Sequence, residues 1–348
     1  MKAVVLAAGF GKRLHPLTVN RPKHVLPLAG KPLVARIVDS VIEAGVDEVG
    51  VLVGYRSELI AEALKTFEQG RLKYIEQKEI AGTGAALRDC RQFLAGEKHF
   101  LVVYGDLTVD AHVLKQLLSY FVDGGFDGAV AAVMLEGSES YGVVEMREGL
   151  LVRVREKERL SGPVNAGIYV LDGSVFDALS EVKLSPRGEI ELTDALNILA
   201  SWGKRIGVKI FDRGWWFDVG RPTDYLAANQ TYLRKFFNQH VVVEGSVSLG
   251  CGVSLKGPIY LGPGVTVERL CSIEGPTMVC GKTTIKEGTV VKGSVILENC
   301  LIGPRSRVVN SIVCENSVFS EGLEVLGEGS PAYVCEPGYE AAGRVKVG

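Results

Sequence analysis

Gly9 and Gly11 stand two residues apart, and Arg13 and Lys23 follow them. Glycines straight after an apolar run let the backbone turn tightly and aim its N–H groups at an anion. Two nearby cations complete a mouth suited to phosphate. Two common phosphate motifs do not fit. A dinucleotide fingerprint needs a third glycine where Leu14 stands, and a Walker loop needs Ser or Thr after Gly-Lys, where this chain has Arg13. Further on, Gly105-Asp106 ends the run Phe100 to Tyr104. An acid at a strand's carboxyl end is well placed to hold Mg²⁺ against phosphates, although a bare Gly-Asp is more often turn chemistry. Asp218 lies inside the apolar run Trp215 to Val219 and needs a partner if buried. Gly82-Thr83-Gly84 allows close approach to a flat ligand and offers a hydroxyl, but the triplet alone is better read as a helix N-cap.

The elements that must position these residues alternate. Lys2 to Ala8 reads as a buried strand, and further strand candidates are Glu48 to Val53, Leu72 to Ile75, Phe100 to Tyr104, Gly128 to Met134, Ala166 to Val170 and Ile206 to Ile210. Amphipathic helices are expected over Val34 to Ala44, Glu58 to Phe67, Gly84 to Leu94, Ala111 to Tyr120 and Thr193 to Trp202, with Thr193 as an N-cap. This pattern implies an α/β domain with a mixed, mostly parallel sheet, whose ligands bind at the strands' carboxyl ends, beside Gly9. A helix opened by Pro222 runs to about Asn238 and ends the domain.

From Val243 the chain becomes Gly-rich and strand-like. Every sixth residue from Val243 through Leu249, Leu255 and Leu261 to Leu297 is aliphatic, and a second series two residues earlier is apolar or small. A six-residue period marks a parallel β-helix, three hexapeptides to a coil. The track predicts roughly three coils, with the register fading where Gly303 and Arg307 fall on it. The expected division is 1–238, 239–326 for the β-helix, and a tail over 327–348.

The stretch Leu6-Ala7-Ala8-Gly9-Phe10-Gly11-Lys12-Arg13-Leu14, with Pro16-Leu17-Thr18, Pro22-Lys23 and Lys31-Pro32, resembles the signature of the sugar-1-phosphate nucleotidyltransferases, the NDP-sugar pyrophosphorylases; Lys12 replaces the usual Thr. The hexapeptide region resembles the left-handed β-helix often attached to them. The resemblance implies a Rossmann-like nucleotidyltransferase domain, and a reaction of NTP with sugar 1-phosphate giving NDP-sugar and pyrophosphate, with Mg²⁺. By the same resemblance, Leu6, Ala7, Ala8, Gly9, Gly11, Gln77, Gly82 and Thr83 hold the nucleotide, and Asp106 and Asp218 the metal. Arg13 would neutralise the leaving pyrophosphate, Lys23 the α-phosphate, and Lys157 would place the sugar phosphate. Gly142, Glu156 and Asn165 would hold the sugar, while Arg153 and Arg159 are left to the surface. Arg221 stands where the family has Thr or Ser. UTP or dTTP is favoured; a GTP-dependent mannose-1-phosphate guanylyltransferase and a non-catalytic regulatory subunit are the alternatives.

The chain has 348 residues, with 39 Lys and Arg against 41 Asp and Glu and a net charge of −2. That balance argues against a nucleic-acid or membrane partner. No apolar run approaches the roughly eighteen residues of a membrane span, and Met1-Lys2 leads straight into a strand, so a cytoplasmic protein is expected. Seven Cys without a Cys-x-x-Cys pair point to buried thiols rather than zinc or disulfides. The last His is His240, so the coils lack the usual base of acyl transfer. Packing and homo-oligomerisation are their expected work.

Overall fold

The computed structural model describes residues 1–67, 70–79, 81–135, 141–156, 161–186, 188–212, 214, 216–327 and 333–341. The chain forms two compact units. The first comprises Met1–Phe10 and Leu33–Asp218, the second Gly11–Pro32 and Val219–Gly348.

The first unit is built on a nine-stranded sheet. From one edge its strands run Leu72–Glu76, Glu48–Val53, Lys2–Leu6, Phe100–Tyr104, Pro163–Leu171, Gly128–Met134, Ile206–Phe211, Leu150–Glu156 and Gly142–Arg147. The first four are parallel, as are Gly128–Met134 and Ile206–Phe211. Pro163–Leu171 runs antiparallel between these two groups, and the last two strands form an antiparallel hairpin. That hairpin was not among the expected strands, because its polar residues mask the apolar alternation. Lys2–Leu6 leads to Glu48–Val53 on one side, whereas Phe100–Tyr104 on its other side is reached from the edge strand. The chain therefore diverges at the carboxyl ends of Lys2–Leu6 and Phe100–Tyr104, which opens a crevice there.

Helices cover the sheet with their apolar faces. Leu33–Glu43 buries Leu33, Val34, Ile37, Val38 and Val41, the stripe of an amphipathic helix. The helix expected over Gly84 to Leu94 is two pieces, Thr83–Asp89 and Arg91–Leu94, broken at Cys90. The second expected helix stops early, spanning Ser57–Ala63. Among the described residues no helix is long and apolar enough to cross a membrane.

The second unit contains the left-handed β-helix. Its three faces are parallel sheets of six, six and five strands, so the coil is longer than the three turns expected. The count by sixes ran short for a local reason. Strands first pair eighteen residues apart, as Val241 with Ile259 and Ser272 with Val290, but from Met278 to Leu326 the step is seventeen, as Met278 with Val295 and Val290 with Arg307. The residue is lost at one corner. Gly257-Pro258 and Gly275-Pro276 turn that corner in the early coils, and single positive-φ turns at Gly293 and Asn310 turn it later. The inward line therefore runs Val279, Ile285, Val291, then Ile296, Ile302, Val308 and Val313. Val243 and Leu249, expected inside, are 48% and 51% exposed because their strands are the terminal ones of their sheets, with a coil on one side only.

Thr283 and Thr289 of the second series join Ser294 and Ser306 in a buried hydroxyl ladder. The hydroxyls of Thr283, Thr289, Ser294 and Ser306 donate to the carbonyls of Leu297, Gly303, Val308 and Ser320, each fourteen residues on. Cys271, Cys280, Cys300 and Cys314 are buried among the coils, and Cys251 is exposed. Burial pushes the Cys300 thiol up to about 12, the environment of an inert thiol. Strands Tyr333–Cys335 and Glu340–Ala341 continue the pairing beyond Leu326, where the coil was expected to end. Helix Pro222–Phe237 belongs to this unit and packs along strands Ile259–Leu261, Thr277–Val279 and Ser311–Val313.

Candidate active site

In the first unit the site begins at the crevice. Ala7 extends the strand by donating its N–H to the carbonyl of Leu52 at 2.9 Å, and Ala7 and Ala8 are buried. Gly105 donates to the carbonyl of Leu6 at 2.9 Å. A Cβ on Gly105 would lie 2.6 Å from that carbonyl oxygen and 2.9 Å from the Ala7 Cα, so only glycine lets the two strand ends meet. Asp106 follows directly and is half-buried.

The next two residues, Leu107–Thr108, form a short antiparallel ladder with Phe217–Asp218, in which Asp218 faces Leu107. The Phe217 N–H donates to the Thr108 hydroxyl at 2.9 Å, fixing that register. Asp106 and Asp218, 112 positions apart in the chain, thus come within one residue of register. Both are half-buried. Two carboxylates supply hard oxygen donors and leave further positions of an octahedral ion to phosphate oxygens and water, which fits Mg²⁺. Among the described residues no group of three or more His, Cys, Asp or Glu could hold a metal.

Gln77 continues the strand Leu72–Glu76, its N–H donating to Val53. The glycines at 82 and 84 make a close approach, but to the chain's own backbone. Gly82 has φ +99°, a Cβ there would lie 2.5 Å from the Ile190 carbonyl oxygen, and Gly84 donates to that oxygen at 2.8 Å. The Thr83 hydroxyl accepts from the Leu192 N–H at 2.9 Å and donates to Glu191 at 3.1 Å. It therefore caps the helix Leu192–Ser201, whose N-cap is Glu191. Thr193, expected as that cap, lies inside the first turn with its side chain buried, which corrects the sequence expectation.

Glu156 and Gly142 face each other at the end of the edge hairpin, close enough that a Cβ on Gly142 would lie 2.8 Å from Glu156 Oε1. Glu156 and Glu191 line one cavity of about 730 Å³ with Asp194 and Asn197. Asn165 sits at a bulge in Pro163–Leu171, where Gly167 takes φ +73° and packs on the Tyr104 ring. Its Oδ1 accepts from the Gly167 N–H at 3.2 Å, and its Nδ2 donates to the Tyr169 hydroxyl at 2.6 Å. Tyr169 and Tyr104 are hydrogen-bonded, and Tyr104 also bonds Thr83. Burial pushes both phenols above their ordinary range. Trp216 closes the bulge by donating its indole N–H to the Ala166 carbonyl at 2.9 Å. Sequence reasoning gave no role to Tyr104, Tyr169, Glu191 or the Trp216 side chain. Each is visible as a residue, but its partner depends on which strands become neighbours. Arg153 is exposed and paired with Glu145, as expected for a surface residue. Lys157, Arg159 and Trp215 lie outside the described residues.

In the second unit, Gly11–Pro32 forms two 3₁₀ turns, Lys12–Leu14 and Lys23–Val25, and a small hairpin of Pro27–Leu28 with Lys31–Pro32. Gly11 has φ +71°, and a Cβ there would lie 3.1 Å from the Lys23 Cβ, so the loop folds Gly11 onto the lysine stem. The Thr18 hydroxyl donates to the Gly11 carbonyl at 2.9 Å. Leu14 and Leu17 are buried, whereas Arg13 is exposed and Lys23 half-buried. The signature thus separates into buried packing residues, an exposed Arg13 and a half-buried Lys23.

Comparison with known proteins identifies the family. A nucleotidyl transferase family model matches residues 2–235. A protein of Methanocaldococcus jannaschii called bifunctional protein GlmU is 36% identical over 336 residues, covering 92% of this chain and 79% of that protein. The low-salt glycan biosynthesis nucleotidyltransferase Agl11 of Haloferax volcanii is 29% identical, covering 97% and 98%. A bifunctional sugar-1-phosphate nucleotidylyltransferase/acetyltransferase of Sulfurisphaera tokodaii is 30% identical, covering 92% and 81%. Among solved structures, a UDP-glucose pyrophosphorylase complexed with UDP-glucose superposes with a TM-score of 0.60 at 29% identity, over 67% of this chain and 98% of that one. With a family model over more than half of the chain and a relative 36% identical over 92% of it, the chain belongs to the nucleotidyl transferase family and is a sugar-1-phosphate nucleotidyltransferase.

Proposed function

We propose that the enzyme transfers a uridylyl or thymidylyl group from UTP or dTTP to a sugar 1-phosphate. An oxygen of the sugar phosphate attacks the α-phosphorus in line. The bond from that phosphorus to the bridging oxygen breaks, and its electron pair leaves on pyrophosphate. The nucleophile is already ionised at neutral pH, so positioning and charge neutralisation carry the catalysis. Mg²⁺ held by Asp106 and Asp218 would supply charge neutralisation at the phosphates. Arg13 neutralises the leaving pyrophosphate and Lys23 the α-phosphate, while Lys157 places the sugar phosphate. Leu6 to Gly9, Gly11, Gln77, Gly82 and Thr83 hold the nucleotide; Gly142, Glu156 and Asn165 hold the sugar.

The observation that carries this reading is the ladder that brings Asp218 opposite the residue after Asp106, at the crevice between the first and fourth strands in chain order. The likeness to a UDP-glucose pyrophosphorylase supports a uridine nucleotide over a guanosine one. Acetyl transfer, which one relative's name includes, is not proposed, since residues 241–348 contain no histidine to act as base. The protein is proposed to be a homo-oligomer, which light scattering of the full chain at micromolar concentration tests. For the chemistry, the test is a screen of UTP, dTTP, GTP, CTP and ATP against glucose, N-acetylglucosamine and mannose 1-phosphates, with and without Mg²⁺. Pyrophosphate released fastest from a pyrimidine nucleotide, and only with the metal, is the expected result. Preference for GTP with mannose 1-phosphate would replace the pyrimidine assignment.

A further inference from the structure

The loop that carries Arg13 and Lys23 has little structure of its own, only two 3₁₀ turns and a hairpin of two-residue strands. What fixes it is contact with the β-helix side of its own unit. Arg21, two residues before Lys23, forks onto Glu298, with Nη1 3.4 Å from Oε1 and Nη2 3.0 Å from Oε2. The same Nη2 lies 3.6 Å from Glu315 Oε2, and Asn20 donates to Glu315 Oε1 at 3.3 Å.

The two acids are stacked. Glu298-Asn299 and Glu315-Asn316 turn the same corner of successive coils, both Asn residues have positive φ, and the Asn316 N–H donates to the Glu298 carbonyl at 3.0 Å. Glu315 is nearly buried, with 6% of its side chain exposed, and Arg21 has 18%. Two like charges stacked on a coil corner repel and lose hydration, and each needs a cation held in defined geometry. Burial opposes the charge on Arg21, but Glu298 and Glu315 outweigh it and hold the guanidinium above its ordinary range. Packing alone would be met by an apolar side chain. A planar fork on two carboxylates instead fixes direction.

Other ties come from the same unit. The Tyr225 hydroxyl donates to the Pro27 carbonyl at 2.6 Å, the Ala29 N–H donates to Asn229, and Gly30 lies on the Tyr260 ring, where a Cβ would come within 2.4 Å of the ring. These hold the hairpin end. Arg21 alone among these anchors adjoins the Pro22-Lys23 pair.

We propose that Arg21, gripped by Glu298 and Glu315, is a positioning residue that sets Lys23 and Arg13 for the nucleotide phosphates. The β-helix is then a working part of the transferase as well as a packing module. This rests on the nucleotidyl-transfer reading above.

The test uses the full-length protein with Arg21→Gln and Arg21→Lys. Displacing a phosphate-binding group by about 1 Å costs on the order of a hundredfold in rate. Arg21→Gln is expected to lower kcat by roughly tenfold to a hundredfold and to raise the KM for the nucleotide. The KM for sugar 1-phosphate should stay within about twofold, because the residues assigned to the sugar lie outside the loop. Arg21→Lys, which keeps the charge but not the fork, should recover only part of kcat. Hydrogen exchange should quicken within residues 11–32 and remain unchanged in the sheet of the first unit. Unchanged kcat and nucleotide KM in a folded Arg21→Gln protein would overturn the proposal. So would equal rises in both KM values, or a rate loss that follows the unfolded fraction. A wild-type protein releasing no pyrophosphate from any pair would instead defeat the underlying reading, and hydrogen exchange would still decide whether Arg21 anchors the loop.

Discussion

The hydroxyl of Tyr169 donates to that of Tyr104 at 3.2 Å, with the ring centroids 5.6 Å apart. Through this pair a chain of polar contacts runs from Asn165, assigned to the sugar, to Thr83, assigned to the base. Tyr169→Phe leaves Asn165 Nδ2 without its acceptor. The expected loss is about 1–3 kcal/mol of stability, the cost of an unsatisfied buried donor. The KM for sugar 1-phosphate should rise while the nucleotide KM changes little. Thermal melts and steady-state kinetics on the same preparation check both, and a variant with wild-type values would remove Tyr169 from the site.

Alkaline pH should weaken the protein through the same phenols. Burial holds Tyr104, Tyr169 and Tyr225 in their neutral form, above the ordinary tyrosine range near 10. Below that range both folded and unfolded chains keep these protons, and stability does not respond to them. Above it the unfolded chain releases protons that the folded chain retains, so stability falls as pH rises. Urea midpoints measured from pH 7 to 11 should be governed by other groups up to about pH 9.5 and drop beyond it. A midpoint at pH 11 equal to that at pH 9 would contradict the burial of these hydroxyls.

Asp106→Asn and Asp218→Asn should each abolish most turnover, by roughly a hundredfold or more, since each removes charge from a site proposed to hold Mg²⁺. The double variant should be little worse than either single one, because the two act as a unit. Circular dichroism should show both singles folded. Calorimetric titration of Mg²⁺ with a nucleotide present gives a readout independent of turnover, and wild-type metal binding by either variant would break the assignment.

A fourth expectation concerns the coil. Thr289 is fully buried and donates to the Gly303 carbonyl at 2.8 Å. Thr289→Val keeps the shape and removes the donor, so about 1–2 kcal/mol should be lost, whereas Thr289→Ser should retain the bond. A lower urea midpoint with an unchanged slope, and unaltered kinetics, is the signature to look for.

What could be read from the chain alone follows from how local each signal is. Gly105 and Gly11 announce tight backbone, and the structure finds tight backbone at both. The strand pattern was legible because apolar runs show it. The placing of Pro163–Leu171 between Phe100–Tyr104 and Gly128–Met134 was not, and with it went Tyr169, whose partner Tyr104 exists only by that neighbourhood. The cap expected at Thr193 was misplaced for a similar reason, since a hydroxyl from a distant helix, that of Thr83, supplies it. In the coil, the period was plain until one residue vanished at the Gly293 corner, after which every count by six was out of phase. Arg21 carried no signal at all, because Glu298 is 277 residues away and its corner is set by that shortened step.

The separation between Asn20 and Glu315, 295 residues, sets an order of events during synthesis. At about 5–20 residues per second, a ribosome needs roughly 15–60 seconds to make the second partner after the first. For that interval the coil corner that receives the loop does not exist. Leu14, Leu17, Leu26 and Leu28 of the same loop are fully buried in the finished protein. The loop, made long before its anchor, is thus among the last parts to take its final form, and a chain released before Glu315 would carry the phosphate loop without that anchor.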